Sequence, residues 1–254
     1  MDMEKKILAV FLAMFLTLAA VGLSGCTEEE EETLKIIVGT SADFPPFEYI
    51  GDNGNIIGFD IELITTILES YNYTVEVQDI SFDSLIPSLQ AGTIDVIAAA
   101  MTITAEREEQ IDFSDPYYEA DQSLLALVET NLIVMSDEEA MNLSITIGAQ
   151  TGTTGAAWAE DNIPNSTLNQ YDLYVDAVLD LNNKNIDAIL LDQPVAAAFA
   201  EDADKEVVYV IETGENYGFG VEEGNTELLN QINDGLEDYI DSEEWFDLIA
   251  EYFE

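Results

Sequence analysis

The sequence of 254 residues contains no histidine, a single cysteine and six cationic side chains, of which only Arg107 is an arginine. Histidines, paired cysteines and a glycine-rich phosphate loop are the usual parts of zinc sites, of nucleophilic catalysis and of nucleotide binding, and all three are missing. The stretch from Asp52 to Glu62 lacks the ligand spacing of a calcium loop. A pair of carboxylates does not indicate a catalytic site in a chain with 53 acidic residues. We therefore expect no metal, no cofactor and no enzymatic activity.

Positive charge is almost absent, and the formal net charge is −47. Nucleic acids and anionic lipid headgroups bind to basic patches, so both are excluded as partners. Self-repulsion of this size is tolerated where salt screens it, since the Debye length falls to about 3 Å at 1 M salt. The composition predicts an acidic, halophilic surface exposed to a saline exterior.

The N-terminus has the pattern of an export signal. Lys5 and Lys6 precede an apolar run from Ile7 to Val21, which is too short for a typical membrane span. The ending Leu-Ser-Gly-Cys resembles the lipobox of bacterial and archaeal lipoproteins, in which Cys26 becomes the lipidated first residue. We predict a signal peptide over 1–25, an acidic tether over 26–33 and an anchor on the outer face of the cytoplasmic membrane. A signal without lipidation and a signal anchor remain alternatives.

The rest of the chain alternates between short apolar runs and helical patterns, which predicts an α/β protein with mainly parallel sheets. Two segments are similar to each other, Asp83 to Thr102 and Asp176 to Pro194, each with an amphipathic helix followed by Ile-Asp and a buried strand. Either this is common α/β patterning or it marks two similarly built lobes. On the second interpretation, residues 34–121 and 218–254 form lobe 1, and residues 122–217 form lobe 2 with its crossover segments.

Three places favour binding. Thr104 suits a helix N-cap, but the charge of Arg107 opposes the dipole of a first turn. An anion in front of Arg107 would explain this, and an internal ion pair with Glu106, Glu108 or Asp112 is the alternative. The glycines and threonines between Gly148 and Glu160 precede a predicted helix. They either form an anion-binding site at its N-terminus or make an ordinary turn. Asp192 ends a buried strand, where it either caps the next helix or holds a ligand ammonium.

Several segments resemble the amino-acid branch of the extracellular solute-binding proteins of ABC importers. They cover most of the chain and are GTSADFPPFEY (Gly39 to Tyr49), GFDIELITTI (Gly58 to Ile67), MTITAEREEQIDFSDPYY (Met101 to Tyr118), GAQTGTT (Gly148 to Thr154) and NIDAILLDQPVA (Asn185 to Ala196). The resemblance implies a two-lobed fold of the type II periplasmic-binding-protein kind, with two crossover strands. It also implies a monomer that closes over one free amino acid and delivers it to the permease subunits of an ABC importer.

The same resemblance implies roles for single residues. Arg107 takes the ligand α-carboxylate with help from Thr102 and the backbone around Thr154. Asp192 takes the α-ammonium together with the carbonyl of Ala100. The remaining positions are two aromatic walls and two polar groups that face the ligand side chain: Phe44 and Phe82, and Ser41 and Gln150.

Departures from the family bear on the ligand. Ser41 stands where binders of basic amino acids tend to carry an acid, and no second arginine exists to hold a side-chain carboxylate. We therefore expect a neutral ligand, either polar or aromatic. Two other functions stay open: a ligand-sensing subunit of a membrane receptor, and a dehydratase on the same fold, which would need a second cationic clamp.

Overall fold

The structure, a computed structural model, describes residues 34–253. The predicted signal peptide, the tether and Cys26 lie outside these residues. Within them, no helix combines the length and the apolar character that crossing a bilayer requires.

Thirteen strands and nine α-helices are numbered here along the described residues. The strands are β1 (Leu34–Thr40), β2 (Asp43–Phe44), β3 (Glu48–Ile50), β4 (Ile56–Ile57), β5 (Tyr73–Asp79), β6 (Val96–Ile97), β7 (Asp112–Phe113), β8 (Tyr118–Leu127), β9 (Thr146–Gln150), β10 (Thr167–Tyr171), β11 (Ala188–Asp192), β12 (Lys205–Tyr217) and β13 (Gly220–Val221). The helices are α1 (Phe59–Ser70), α2 (Leu85–Gln90), α3 (Ala105–Glu108), α4 (Asp137–Met141), α5 (Thr154–Asn162), α6 (Tyr174–Asn182), α7 (Gln193–Phe199), α8 (Thr226–Tyr239) and α9 (Glu243–Phe253).

The strands form two five-stranded sheets and one small sheet. The first sheet has the order β5-β1-β6-β13-β7, with β13 antiparallel to both neighbours. The second has the order β10-β9-β11-β8-β12, with β8 antiparallel to both neighbours. Strands β2, β3 and β4 pair antiparallel in a third sheet. Each large sheet therefore has one strand that runs against its neighbours, and the predicted α/β class is confirmed.

Strands β8 and β12 belong to the second sheet and connect it along the chain to the elements of the first sheet. The chain enters the second sheet through β8 and leaves it through β12, only three residues before β13 of the first sheet begins. The predicted lobe boundaries fall inside β8, after residue 121, and at the end of β12, after residue 217. They remain predictions, although the strand membership of the sheets is compatible with them.

Regular patterns in the sequence correspond to regular elements. The apolar spacing after Asp60 becomes α1, which buries Ile61, Ile64, Ile67 and Leu68. The C-terminal sequence has two apolar stripes at helical spacing, which are Leu229, Ile232, Leu236 and Tyr239, and Trp245, Leu248, Ile249 and Tyr252. These segments form α8 and α9, where Ile232, Leu236 and Leu248 are buried. The aromatic residues of the stripes are expected to pack, and the rings of Trp245 and Phe59 lie 5.4 Å apart, edge to face.

The apolar run from Ile94 to Ala100 in the sequence predicts a buried strand, and this prediction is wrong in its extent. Only Val96 and Ile97 are in β6, because the chain turns away at Ala100, whose φ of 44° lies in the left-handed region. That region is unfavourable for a residue with a Cβ. The Ala100 N–H donates to Oδ2 of the fully buried Asp60 at 2.7 Å, so a tertiary hydrogen bond takes the place of a ladder bond. The local turn is thus set by a residue forty positions away.

Candidate functional site

One pocket collects all nine residues that the sequence analysis singled out for ligand binding. The pocket is narrow, with a cavity volume of about 20 Å³. Four further residues line it: Glu48, Ala99, Thr153 and Tyr174. The nine are Ser41, Phe44, Phe82, Ala100, Thr102, Arg107, Gln150, Thr154 and Asp192. Residues on either side of the predicted boundary at 121 therefore meet in a single cavity.

Arg107 is buried in this pocket, and only 8% of it is exposed. Its Nη1 donates to the Thr102 carbonyl at 2.6 Å and its Nη2 to the Gly152 carbonyl at 3.1 Å. Among the described residues, its guanidinium forms no ion pair, so the alternative of a pair with Glu106, Glu108 or Asp112 is not realised. A buried guanidinium without a carboxylate partner has donors and charge available for an anion.

The helix around Arg107 is shorter than a helical anion site requires. Helix α3 has four residues, and Thr104 caps it as predicted by accepting the Arg107 backbone N–H. The amide of Arg107 is therefore already satisfied, and the guanidinium is the group left to bind an anion. Helix α5, with nine residues, begins at Thr154 after the N-cap Thr153. The Ala156 N–H donates to the Thr153 hydroxyl at 3.2 Å, so the amides of Thr154 and Gly155 are the first-turn donors that have no acceptor inside the helix.

The hydroxyl groups of Thr102 and Thr154 share one acceptor. Thr102 Oγ1 lies 2.7 Å from Glu215 Oε2, and Thr154 Oγ1 lies 2.6 Å from the same oxygen. A hydroxyl has a single proton to donate. In this arrangement the proton of Thr102 is directed to Glu215, so the predicted help of this hydroxyl to a ligand carboxylate would require a different rotamer.

Asp192 is 6% exposed at the junction of β11 and α7. It occupies the N-cap position of α7, but its side chain makes no capping hydrogen bond, which removes the alternative of a capping role. Its carboxylate instead accepts hydrogen bonds from Tyr217 Oη and from Gln122 Nε2. Burial first, and the charge of Glu215 second, raise the pKa of Asp192 to about 7.

The two predicted aromatic walls have partners of their own. The Phe44 ring stacks on Tyr174 with 5.3 Å between centroids, and the Arg107 guanidinium carbon lies 5.3 Å from the centre of the Phe82 ring. A guanidinium over an aromatic face is an attractive geometry. Phe82 therefore helps to hold the cation in addition to lining the pocket.

Ser41 and Gln150 are joined by a network around Asp43. Gln150 Nε2 donates to the Asp172 carbonyl at 3.0 Å and lies 3.4 Å from Ser41 Oγ. Ser41 Oγ in turn lies 3.3 Å from Asp43 Oδ1. Burial raises the pKa of Asp43 to about 6. A carboxyl group thus stands next to the serine whose presence had suggested a site without an acid.

Of the four pocket residues that sequence reasoning missed, Glu48 is the one that carries a carboxyl group. It is 1% exposed, it lines the pocket, and its Oε2 has no hydrogen-bond partner. Burial, followed by the charges of Asp60, Asp43 and Asp192, raises its pKa well above the usual value. The available signal was an acid inside the apolar run FPPFEY, which is hard to notice in a chain with 53 acids.

The raised pKa values of the buried carboxyls predict how the stability of the protein depends on pH. Asp60 and Asp192 keep their protons up to about pH 7 in the folded protein and Asp43 up to about pH 6, against 3.8 as the ordinary value. Between these values the folded state binds more protons than the unfolded state, so the free energy of unfolding falls as the pH rises, by up to about 1.4 kcal/mol per pH unit for each group. We expect the ligand-free protein to be more stable at pH 5.5 than at pH 8, measured by denaturant unfolding at constant high salt.

The Asp192→Asn variant is the control for this pH effect. It removes one of the titrating groups, so its unfolding free energy should depend less steeply on pH than that of the wild type. Equal stability of the wild type at the two pH values, or greater stability at pH 8, would contradict the expectation.

Comparison with known proteins places this fold and pocket in a family. Residues 36–254 match the bacterial extracellular solute-binding proteins, family 3, and the chain belongs to this family. The putative ABC transporter arginine-binding protein 2 of Escherichia coli K12 is 34% identical over 241 residues, which cover 92% of this chain and 93% of the relative.

Solved structures agree with this assignment. A crystal structure of a mutant of ArgBP from T. maritima has a TM-score of 0.82 and 36% identity, covering 86% of this chain and 95% of that one. An ancestral arginine-binding protein bound to glutamine has a TM-score of 0.81 and 35% identity, covering 86% and 97%. The fold is therefore the two-lobed, type II fold of periplasmic binding proteins. The protein is an amino-acid-binding component of an ABC transporter and not an enzyme.

Proposed function

We propose that this protein binds one free amino acid in the pocket, with the ligand α-carboxylate on Arg107 and the α-ammonium on Asp192. The observation that carries the proposal is that these two buried side chains, one a cation and one an acid, line the same pocket. A zwitterion offers one charge to each of them. Because residues from both predicted lobes contribute, the bound ligand would favour the closed arrangement through contacts with both.

The ligand side chain is the finer question, and the geometry favours a cation. The neutral ligand predicted from the sequence depended on Ser41 replacing an acid. In the structure, Asp43 lies beside Ser41 without lining the pocket, and Glu48 brings a carboxyl oxygen without a hydrogen-bond partner into the pocket. A buried carboxyl without a partner has an unfavourable free energy that a cationic ligand group would offset. Relatives named as arginine-binding and histidine-binding proteins support the same class. We propose a ligand with a cationic side chain, of the arginine type.

Arginine and citrulline separate the two ligand classes, since they have similar shapes and only arginine carries the side-chain charge. We expect the wild type to bind arginine at least tenfold more tightly than citrulline. Glu48→Gln should weaken arginine binding by about one to two decades, the size of a lost charge-assisted hydrogen bond. Citrulline binding should change little. The measurement is isothermal titration calorimetry after prebound ligand has been stripped.

The matched control is Glu237→Gln, which makes the same change at an exposed position of α8 and should leave both affinities unaltered. A wild type that binds glutamine or citrulline more tightly than arginine would overturn the cationic assignment and favour the neutral ligand predicted from Ser41. The closed pocket with Arg107 and Asp192 would survive that result.

The location of the protein is also part of the proposal. The family is extracellular, and we propose that Cys26 carries a lipid that holds the protein, as a monomer, at the outer face of the membrane beside its permease. Metabolic labelling with a radioactive fatty acid, with Cys26→Ala as control, tests the anchor. A sensing role would instead require that the liganded protein bind a receptor and not a permease.

A further inference from the structure

Asp192 is held by two side chains that the sequence analysis did not identify. Tyr217 and Gln122 are both 0% exposed. The Tyr217 hydroxyl donates to Asp192 Oδ2, and Gln122 Nε2 donates to Asp192 Oδ1. Each carboxylate oxygen therefore has one fixed donor. Since a carboxylate has about four acceptor positions, two remain for a ligand.

The sheet topology explains how these donors reach Asp192. Gln122 lies directly opposite Asp192 in the antiparallel pairing of β8 with β11. Tyr217 is the last residue of β12, which pairs with the other edge of β8. Tyr217 also forms an isolated bridge with Thr102, a pocket residue whose carbonyl accepts from Arg107. The two supports of Asp192 thus come from the two strands that connect the predicted lobes.

We propose that Tyr217 and Gln122 are positioning residues for the ligand ammonium, fixing the orientation of the Asp192 carboxylate and stabilising its charge. This inference rests on the proposed function, in which Asp192 receives the ammonium. Neither residue lines the pocket, so each acts through Asp192. Because both lie on the connecting strands, the proposal also ties the ammonium site to the segments along which lobe movement would occur.

The charges around Asp192 predict how its pKa changes when a hydrogen-bond donor is removed. Burial and Glu215 raise its pKa, while Tyr217, Gln122 and Arg107 lower it. The titratable and charged groups that face it come from β3, α3, α6 and β12, namely Glu48, Arg107, Tyr174, Glu215 and Tyr217. Removing the Tyr217 hydroxyl leaves all the other groups in place. The carboxylate then loses a donor, and its pKa rises further.

A pair of tyrosine variants tests the proposal. Tyr217→Phe removes the donor to Asp192. Tyr117→Phe removes an equally buried hydroxyl that donates to Asp60 instead, and the two rings lie 6.4 Å apart. In Tyr217→Phe we expect the pH at which Asp192 titrates, followed by its side-chain carboxyl carbon NMR signal without ligand, to rise by about one unit. L-arginine and L-glutamine, used as probes at pH 7, should bind about tenfold more weakly.

Tyr117→Phe should leave the pH at which Asp192 titrates unchanged and both affinities within about twofold of the wild type. Both variants lose a buried hydroxyl and some stability. Gln122→Met, which removes a donor without changing length much, should move the titration in the same direction as Tyr217→Phe. If the Asp192 titration is the same in Tyr217→Phe and Tyr117→Phe, the positioning role is wrong. If the wild type binds no free amino acid, the proposed function fails and takes the ammonium role with it, and the NMR titration still decides whether Tyr217 tunes Asp192.

Discussion

Arg107→Ala is expected to weaken amino-acid binding by about two to four decades while the protein remains folded. The buried ligand carboxylate would lose its cation, and removing one partner of a buried ion pair costs roughly 3–5 kcal/mol. No other arginine and no lysine lines the pocket, so no described side chain can replace it. The measurement is titration calorimetry on stripped protein with the amino acid that binds the wild type.

Stability should change less than affinity in this variant. The guanidinium donates to two backbone carbonyls, those of Thr102 and Gly152, and their loss should cost about 1–3 kcal/mol. Burial lowers the pKa of Arg107, so removing it also ends the cost of a desolvated cation. Thermal unfolding followed by circular dichroism would confirm that Arg107→Ala is folded at the temperature of the binding measurement.

Two further variants separate charge from geometry. Lys184→Ala removes a cation that is 62% exposed and paired with Glu129, and it should leave affinity unchanged. Arg107→Lys keeps the charge without the two-pronged donor geometry, so we expect an affinity between those of the wild type and Arg107→Ala. An Arg107→Ala protein within a few-fold of wild-type affinity would place the carboxylate site elsewhere.

Asp192→Asn should weaken amino-acid binding by as much as Arg107→Ala does. Unlike the affinity, the stability of the ligand-free protein should not fall. The amide keeps the shape of the side chain but loses the charge that the ligand ammonium requires, so we again expect a loss of about two to four decades. In the ligand-free protein, burial and Glu215 make the ionised carboxylate unfavourable. The free energy of unfolding at pH 8 should therefore stay constant or rise.

A fall in affinity without a fall in stability identifies Asp192 as a ligand-binding residue. A residue that matters only for folding would lower stability and affinity together. Asp238→Asn, the same substitution at an exposed position on α8, is the control and should change neither. Retention of affinity in Asp192→Asn would show that the ammonium binds elsewhere in the pocket.

Much of the site could be predicted because charge is so unequal in this sequence. A chain with one arginine draws attention to that arginine, and the burial of Arg107 agrees with the expectation. The predicted N-cap at Thr104 and the strand end at Asp192 are local features, and they are present in the structure. Glu48 could not be found in this way, because one buried acid looks like any of the 52 others in a sequence.

The sequence by itself determined the α/β class and the longer elements, since the spacing of apolar residues along one segment records which face is buried. Its resemblance to a known family implied nine of the thirteen residues that line the pocket. The tertiary structure alone decided the left-handed turn at Ala100, the two-residue strands β6, β7 and β13, and the burial of Glu48. It alone showed that Gln122 and Tyr217 support Asp192. Each of these depends on a hydrogen bond, a strand pairing or a loss of solvent between residues far apart in the chain, and such contacts leave no periodic pattern in the sequence.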